Sequence, residues 1–451
     1  MKALYSRIST FLANDRVLSR VLKNTGYLFS SSTISLLLSF IQSVFAARLL
    51  GVAAFGMIGI IITFVSNVNR LFSFRMGEFI VRFLGKELTD NNRQRAGAVV
   101  KLALLIEGST SLIAFICLLL LAPLGARYIA KDMQTLPLIQ LFGISILANL
   151  ITETSTGVLQ ITNHFRSQAF LNLAQSVVTA VLILVAFFTH GSIVFVLIAY
   201  LAGKIILGVG PAVLAFHYLP RHLERGWWKA SLSAIPPFKE VIRFALSTNL
   251  SGTVKMIATE SEPLLLGYFL DSQSVGYYKL ALSIVNPLMM PITPFIATTF
   301  PELTRSVVSG LWQSLRRLLH RVTLISATWT GAVLLVMIFL GRWLIRLFYT
   351  STFLPAYPVT MLLLVGFGFA NIFFWNRSLL LSFGKANIPF YVLLITAALK
   401  TGLAFWVVPR AGIMGEGALL TAYLVISTGI LVFIGRRLIQ KQERAEGTAL
   451  P

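Results

Sequence analysis

From Gly26 onward the chain keeps returning to apolar stretches of about 20 residues, the length a helix needs to cross roughly 30 Å of hydrocarbon. Inside a bilayer only helices and closed barrels satisfy their own backbone groups, and the strand-like alternation of a barrel is absent here. The expectation is an all-α membrane protein. Charged residues are 12% of the chain and hydrophobic ones 56%, with a mean hydropathy of +0.81. Soluble domains carry roughly 25% charged residues. The first 25 residues hold five basic side chains without a short apolar core or cleavage site, unlike a signal peptide.

Twelve spans are expected. The first six lie at 26–50, 55–79, 98–122, 136–160, 168–189 and 192–217, and the second six at 240–268, 274–300, 319–345, 357–382, 388–408 and 412–435. With both termini on the cytoplasmic side, the tails and even-numbered loops hold 24 basic residues and the opposite loops six. The positive-inside rule therefore places both ends in the cytoplasm. Much of the net charge of +22 is an orientation signal, and no nucleic-acid partner is expected. The division is a segment 1–25, a lobe 26–217, a cytoplasmic connector 218–239 bearing Trp227 and Trp228, a second lobe 240–435 and a tail 436–451.

The two halves repeat at an offset of 220 residues. Ser32, Ser35, Ser39 and Gln42 interrupt the first apolar run, and Gly252, Lys255, Thr259 and Glu262 stand at the same places in the seventh. Steps of three and four put each set on one side of a helix. Leu50, Gly56 and Ile61 match Leu270, Gly276 and Ala281, and the segment Gly157 to Arg166 matches Arg377 to Ala386 with one residue of slippage. Six spans per half is an even number, so both halves enter from one side and form a parallel repeat around a central cavity.

Five segments carry a family resemblance: ARLLGVAAFG (Ala47 to Gly56), MGEFIVRFLGKE (Met76 to Glu87), GVLQITNHFR (Gly157 to Arg166), EPLLLGYFLDSQSVGYYKLALSI (Glu262 to Ile284) and RAGIMGEGALLTAYL (Arg410 to Leu424). In order and spacing they resemble polysaccharide flippases of the multidrug, oligosaccharidyl-lipid and polysaccharide exporter superfamily. The resemblance implies two six-helix lobes with alternating access, and a bacterial inner membrane. Drug antiporters of that superfamily often carry an acid in the first helix, where residues 26–50 have none. Lipid II flippases usually carry two extra helices. Both subclasses therefore rank lower.

Ionisable residues at bilayer depth cost about 2.5 to 3.5 kcal/mol on insertion scales and are functional candidates by default. Within the spans basic outnumbers acidic two to one, which suits an anionic headgroup such as a pyrophosphate. Arg70, Arg75 and Lys255 are the expected headgroup contacts, and Ser32, Ser35, Ser39, Gln42, Asn67, Thr259 and Asn286 the expected sugar-binding wall. Glu107, Glu153, Lys204, Glu260, Glu262 and Lys400 are expected to couple lobe motion to an ion or to pair structurally. Lys279, early in the eighth span, is expected to reach the outer headgroups.

No GxxxxGK[ST] loop and no metal-ligand spacing among the five histidines occurs, so neither an enzyme nor a metal site is expected. The lone Cys117 reads as apolar filler. No cofactor is expected beyond H+ or Na+ as a coupling ion. The expected partners are a lipid-linked oligosaccharide, membrane lipids, and a polysaccharide polymerase with other glycan-assembly proteins. Two rival functions stay open: export of a small drug-like molecule by ion antiport, and a transport-inactive scaffold for glycan-assembly enzymes.

Overall fold

Glycines at positive φ set the turns of the longest helices in the computed structural model, which describes residues 16–73, 76–223, 226–232, 253–254, 256–385 and 387–447. Helix α1 (Arg16–Phe72) doubles back at Gly51, whose φ of 72° suits a residue without a side chain. It therefore carries the first span and most of the second, which α2 (Met76–Thr89) completes. The last helix, α14 (Asn387–Gly447), turns the same way at Gly412 (φ 59°) and carries spans eleven and twelve.

Between them lie α3 (Arg93–Leu124), α4 (Leu136–Ala148), α5 (Thr152–Ile161), α6 (Phe165–Phe188), α7 (Ile193–His222), α8 (Glu262–Phe269), α9 (Ser272–Met289), α10 (Thr293–Val308), α11 (Trp312–Phe348), α12 (Tyr357–Ile372) and α13 (Asn376–Ser382). Eight helical stretches among the described residues are long and apolar enough to cross a bilayer, and two of them, Gly26–Thr89 and Asn387–Arg444, turn at Gly51 and Gly412 and have length for two crossings each. The seventh span begins outside the described residues, and the eighth is divided between α9 and α10. Arg75, Lys255 and connector positions 224–225 and 233–239 also lie outside the described residues.

The repeat governs the interruptions as well as the turns. Spans two and eight break after Phe72 and Met289, and spans four and ten break at 149–151 and 373–375. Polar side chains satisfy the backbone groups that the breaks free. Asn149 Nδ2 donates to Ser145 O at 2.6 Å, and Asn376 Nδ2 to Phe373 O at 2.7 Å. The start of α5 is capped from another helix: Glu107 on α3 accepts the backbone N–H groups of Glu153 and Thr154, both at 2.8 Å.

Replacing Glu107 with Ala strands two buried donors. We expect a loss on the order of 3 kcal/mol, read as lowered thermal stability in detergent, with Glu107→Gln losing less because it keeps one acceptor.

The N-terminal arm of α1 starts at one face of the molecule, the entry face, and ends at the opposite one, the far face. At the far face the lobes meet with their backbones almost touching. A side-chain carbon on Gly56 would lie 1.8 Å from Ser272 O, and one on Gly276 would lie 2.2 Å from Val52 O. Ser272 is the counterpart of Val52 at the 220-residue offset, and Gly276 that of Gly56. Each glycine thus meets its partner's neighbour, so a pseudo-two-fold axis passes between α1 and α9. Phe55, Ile58, Val275, Tyr278 and Phe353 fill the same seam in one buried cluster.

Candidate functional site

Away from the far face the seam opens. A cavity of about 540 Å³ lies between α1, the α9–α10 break and span ten, with Ser32, Asn286, Asn371, Asn376 and Arg377 among its walls. That volume falls in the range of about 300–1,000 Å³ typical of ligand sites. Asn371 Nδ2 is buried and has no hydrogen-bond partner among the described residues, so its donors remain for a bound polar group.

A second polar pocket of about 250 Å³ lies inside the first lobe at the break in span four. Arg70, Lys204, Asn69, Asn149 and Glu153 line it together with the capping carboxylate of Glu107. Arg70 also pairs with Glu260 across the seam, and Asn67 Nδ2 donates to Ser261 Oγ at 2.9 Å beside it. These contacts join the lobes away from the far face. Lys204 has no hydrogen bond or ion pair among the described residues.

Several sequence expectations are corrected. Ser35 Oγ donates to Asn172 O at 3.1 Å and Gln42 Nε2 to Ser176 O at 2.8 Å, so both turn into their own lobe against α6. Ser32 and Ser39 stay accessible, with Ser32 on the cavity wall. The physical reason is rotation: at about 100° per residue, positions 35 and 42 lie some 40–80° around the helix from 32 and 39. A stripe that wide touches two surroundings. Asn67 bridges the lobes instead of offering its amide to sugar, and Glu107 is spent on the helix cap. Lys279 does not reach outward but lies in the seam, its ammonium 4.4 Å from the Phe55 ring and 3.5 Å from Phe55 O. Thr259 and Glu260 are half-buried beside the seam, and Arg75 and Lys255 lie outside the described residues.

The second lobe contains a buried charge cluster that the sequence only half disclosed. Lys400 Nζ lies 2.9 Å from Glu262 Oε1, 2.7 Å from Glu416 Oε1 and 3.0 Å from Ala258 O. All three side chains are at most 2% exposed. Glu262 Oε2 and Glu416 Oε2 have no hydrogen-bond partner among the described residues. Glu262 is the counterpart of Gln42 at the 220-residue offset, and both turn into their own lobes. Glu416 was missed, although it is the only acid of residues 412–435. Arg377 and Asn371 were missed as cavity residues because their depth depends on the break in span ten.

The far face is latched by cations on helix ends. Arg48 donates to Phe348 O at 2.6 Å and also to Leu347 O, and Lys131 Nζ donates to Leu270 O at 2.6 Å. Free carbonyls at a helix C-terminus attract positive charge. Ser43 and Tyr349 hydroxyls, 3.2 Å apart, and the Phe40–Phe348 ring pair complete the closure. The cavity is therefore shut at the far face.

This architecture has solved relatives. The chain is similar to an inward-facing multidrug resistance MATE family transporter of the MOP superfamily, with a TM-score of 0.70 and 13% identity, covering 91% of this chain and 96% of that one. It is similar to the lipid II flippase MurJ in an inward closed conformation, with a TM-score of 0.71 and 16% identity over 91% of this chain and 87% of that one. Both likenesses establish the two-lobe fold. Among curated sequences it is 21% identical to the inner membrane protein YghQ of Escherichia coli (strain K12) over 64% of this chain and 82% of that protein. Residues 21–307, well over half of the sequence, match one described family across the first lobe, the connector and the start of the second. The chain belongs to the polysaccharide biosynthesis protein family.

Proposed function

We propose that the protein moves a polyprenyl-pyrophosphate-linked oligosaccharide from the cytoplasmic to the external leaflet of a bacterial inner membrane by alternating access. The single observation that carries this reading is a cavity between the lobes, with Ser32, three asparagines and Arg377 set among apolar walls, that is closed at the far face by direct lobe contact. Sugar hydroxyls and phosphates leave water only when replacement hydrogen bonds and counter-charges are supplied. In the cavity between the lobes Ser32, Asn286, Asn371 and Asn376 supply the former and Arg377 the latter, while Arg70, paired with Glu260, and Lys204 add positive charge in the separate first-lobe pocket. Arg75 and Lys255 remain proposed headgroup contacts, on the sequence alone. The lipid tail stays in the bilayer while the headgroup crosses. In this reading the entry face is cytoplasmic, as the distribution of basic loops favours.

The coupling ion is assigned to the second lobe. Two carboxylates and one ammonium leave an excess negative charge in a dry interior, which a proton or a sodium ion on the unpartnered oxygens would neutralise. Loading and unloading that ion would bias the lobe between two packings. Glycan-assembly enzymes, a polymerase among them, are the natural protein partners of such a step.

The test is restoration of surface glycan in cells that lack the gene. Arg70→Ala and Arg377→Ala are expected to cut export about tenfold or more, since a hydrogen bond to a charged group is worth about 1.5–3 kcal/mol. The amount of folded protein in the membrane should not change in Arg377→Ala, whereas Arg70→Ala also breaks the pair with Glu260 across the seam. Full export by the double variant would contradict the reading, and efflux of a soluble dye without glycolipid movement would favour a drug-type antiporter instead.

A further inference from the structure

The entry-face end of the second lobe holds another polar cavity, of about 290 Å³, that the translocation path does not use. Arg316 and His320 stand one turn apart on α11, facing Arg436 and Gln440, one turn apart on α14. Buried Leu319, Ile439 and Trp375 form the floor. Glu443 pairs with Arg316, but His320 and Arg436 have no carboxylate partner among the described residues. Thr323 Oγ accepts the indole N–H of Trp375 at 2.8 Å, and its own proton has no acceptor among the described residues. The cavity thus offers a guanidinium, an imidazole and a hydroxyl donor over an apolar base.

Its depth identifies the layer it serves. At 1.5 Å per residue, Arg436 lies about 36 Å along the arm from the far-face turn at Gly412, and His320 about 42 Å from the far-face end of α11. The hydrocarbon core is about 30 Å thick and the whole bilayer about 40–45 Å. Both side chains therefore stand in the headgroup layer of the entry-face leaflet. Arg317, Arg321, Arg437 and Lys441 each follow one of the four polar wall residues in sequence, so the same two helix ends carry further positive charge that attracts anionic lipid. Phe433, 55% exposed and three residues before Arg436, marks an apolar edge towards the bilayer.

We propose that this cavity binds the phosphodiester of an anionic glycerophospholipid from the entry-face leaflet. Phosphate oxygens accept from Arg436, His320 and Thr323, while the acyl chains remain in the bilayer beside Phe433. A bound lipid would tie α11 to the last arm of α14.

The test is native mass spectrometry of the full chain purified from a mixture of phosphatidylglycerol and phosphatidylethanolamine. The wild type should retain one phosphatidylglycerol in preference to phosphatidylethanolamine. The double variant His320→Gln, Arg436→Gln should retain it at least about tenfold less, while Arg410→Gln, whose side chain lies over Trp406 beside the far-face turn, should match the wild type. Arg436→Lys should keep part of the binding, showing that a folded lobe with the charge retained suffices. Equal retention of both lipids, or undiminished retention by the double variant, overturns the proposal. So does inorganic phosphate that binds the lipid-free protein and displaces phosphatidylglycerol, which would make the cavity a site for the free ion.

Discussion

Lys400→Met is expected to cost about 3–5 kcal/mol, because it leaves the carboxylates of Glu262 and Glu416 buried without their shared counter-charge. Against a total stability of about 5–15 kcal/mol, that loss should be plain as a sharp fall in the unfolding temperature and in the yield of folded protein. The triple change Glu262→Gln, Lys400→Met, Glu416→Gln removes all three charges together. It should recover most of the stability, since replacing a whole buried ion cluster by neutral groups is often harmless. It should nevertheless fail to export glycan if the cluster carries the coupling ion. Thermal unfolding beside an export assay separates the two roles. A Lys400→Met protein as stable as the wild type would show that the carboxylates are not charged in this cluster.

Gly56→Ala should hold the far face open. Its added carbon would lie 1.8 Å from Ser272 O, and Gly276→Ala would place one 2.2 Å from Val52 O. Both obstacles are backbone, so no side chain can simply swing aside. Overpacking costs about 1–3 kcal/mol and here falls on the closed state alone, which shifts the equilibrium by roughly five- to 150-fold. A cysteine at Ser43, buried in the seam, reports the change when Cys117 is first replaced by Ser. Labelling by a membrane-impermeant maleimide from the far face should rise in both glycine variants, and export should fall. Gly331→Ala, with nothing within 4 Å of the added carbon, serves as the control and should alter neither. Unchanged labelling in Gly56→Ala would mean that the closed seam is not the resting state.

Apolar periodicity and the 220-residue offset made the class, the spans and the two-lobe plan legible, because membrane passage constrains length and polarity over long stretches. The same offset places Gly51 opposite Asp271, which caps α9 through Ser274 N, and Gly412 opposite Ser192 at the start of α7. Side-chain direction was harder to read. Ser35 and Gln42 share a spacing pattern with Ser32 and Ser39, but a rotation of less than a quarter turn decides between cavity and lobe interior, and that rotation is set by packing against α6. The pairing of Lys400 with Glu262 spans 138 positions, and no local pattern announces it. Nor does hydropathy reveal that Glu107 caps the broken fourth span, since the break itself is a tertiary feature. Lys279 misled for a similar reason: it stands opposite Gly59, whose missing side chain leaves room for the lysine stem within the seam.

The most direct measurement is leaflet exchange of a fluorescent polyprenyl-pyrophosphate oligosaccharide in proteoliposomes containing the purified chain. The account predicts exchange well above that of protein-free vesicles, and exchange near the protein-free level for the double variant Arg70→Ala, Arg377→Ala. Exchange by the wild type no faster than in empty vesicles, with and without imposed proton and sodium gradients, would contradict it.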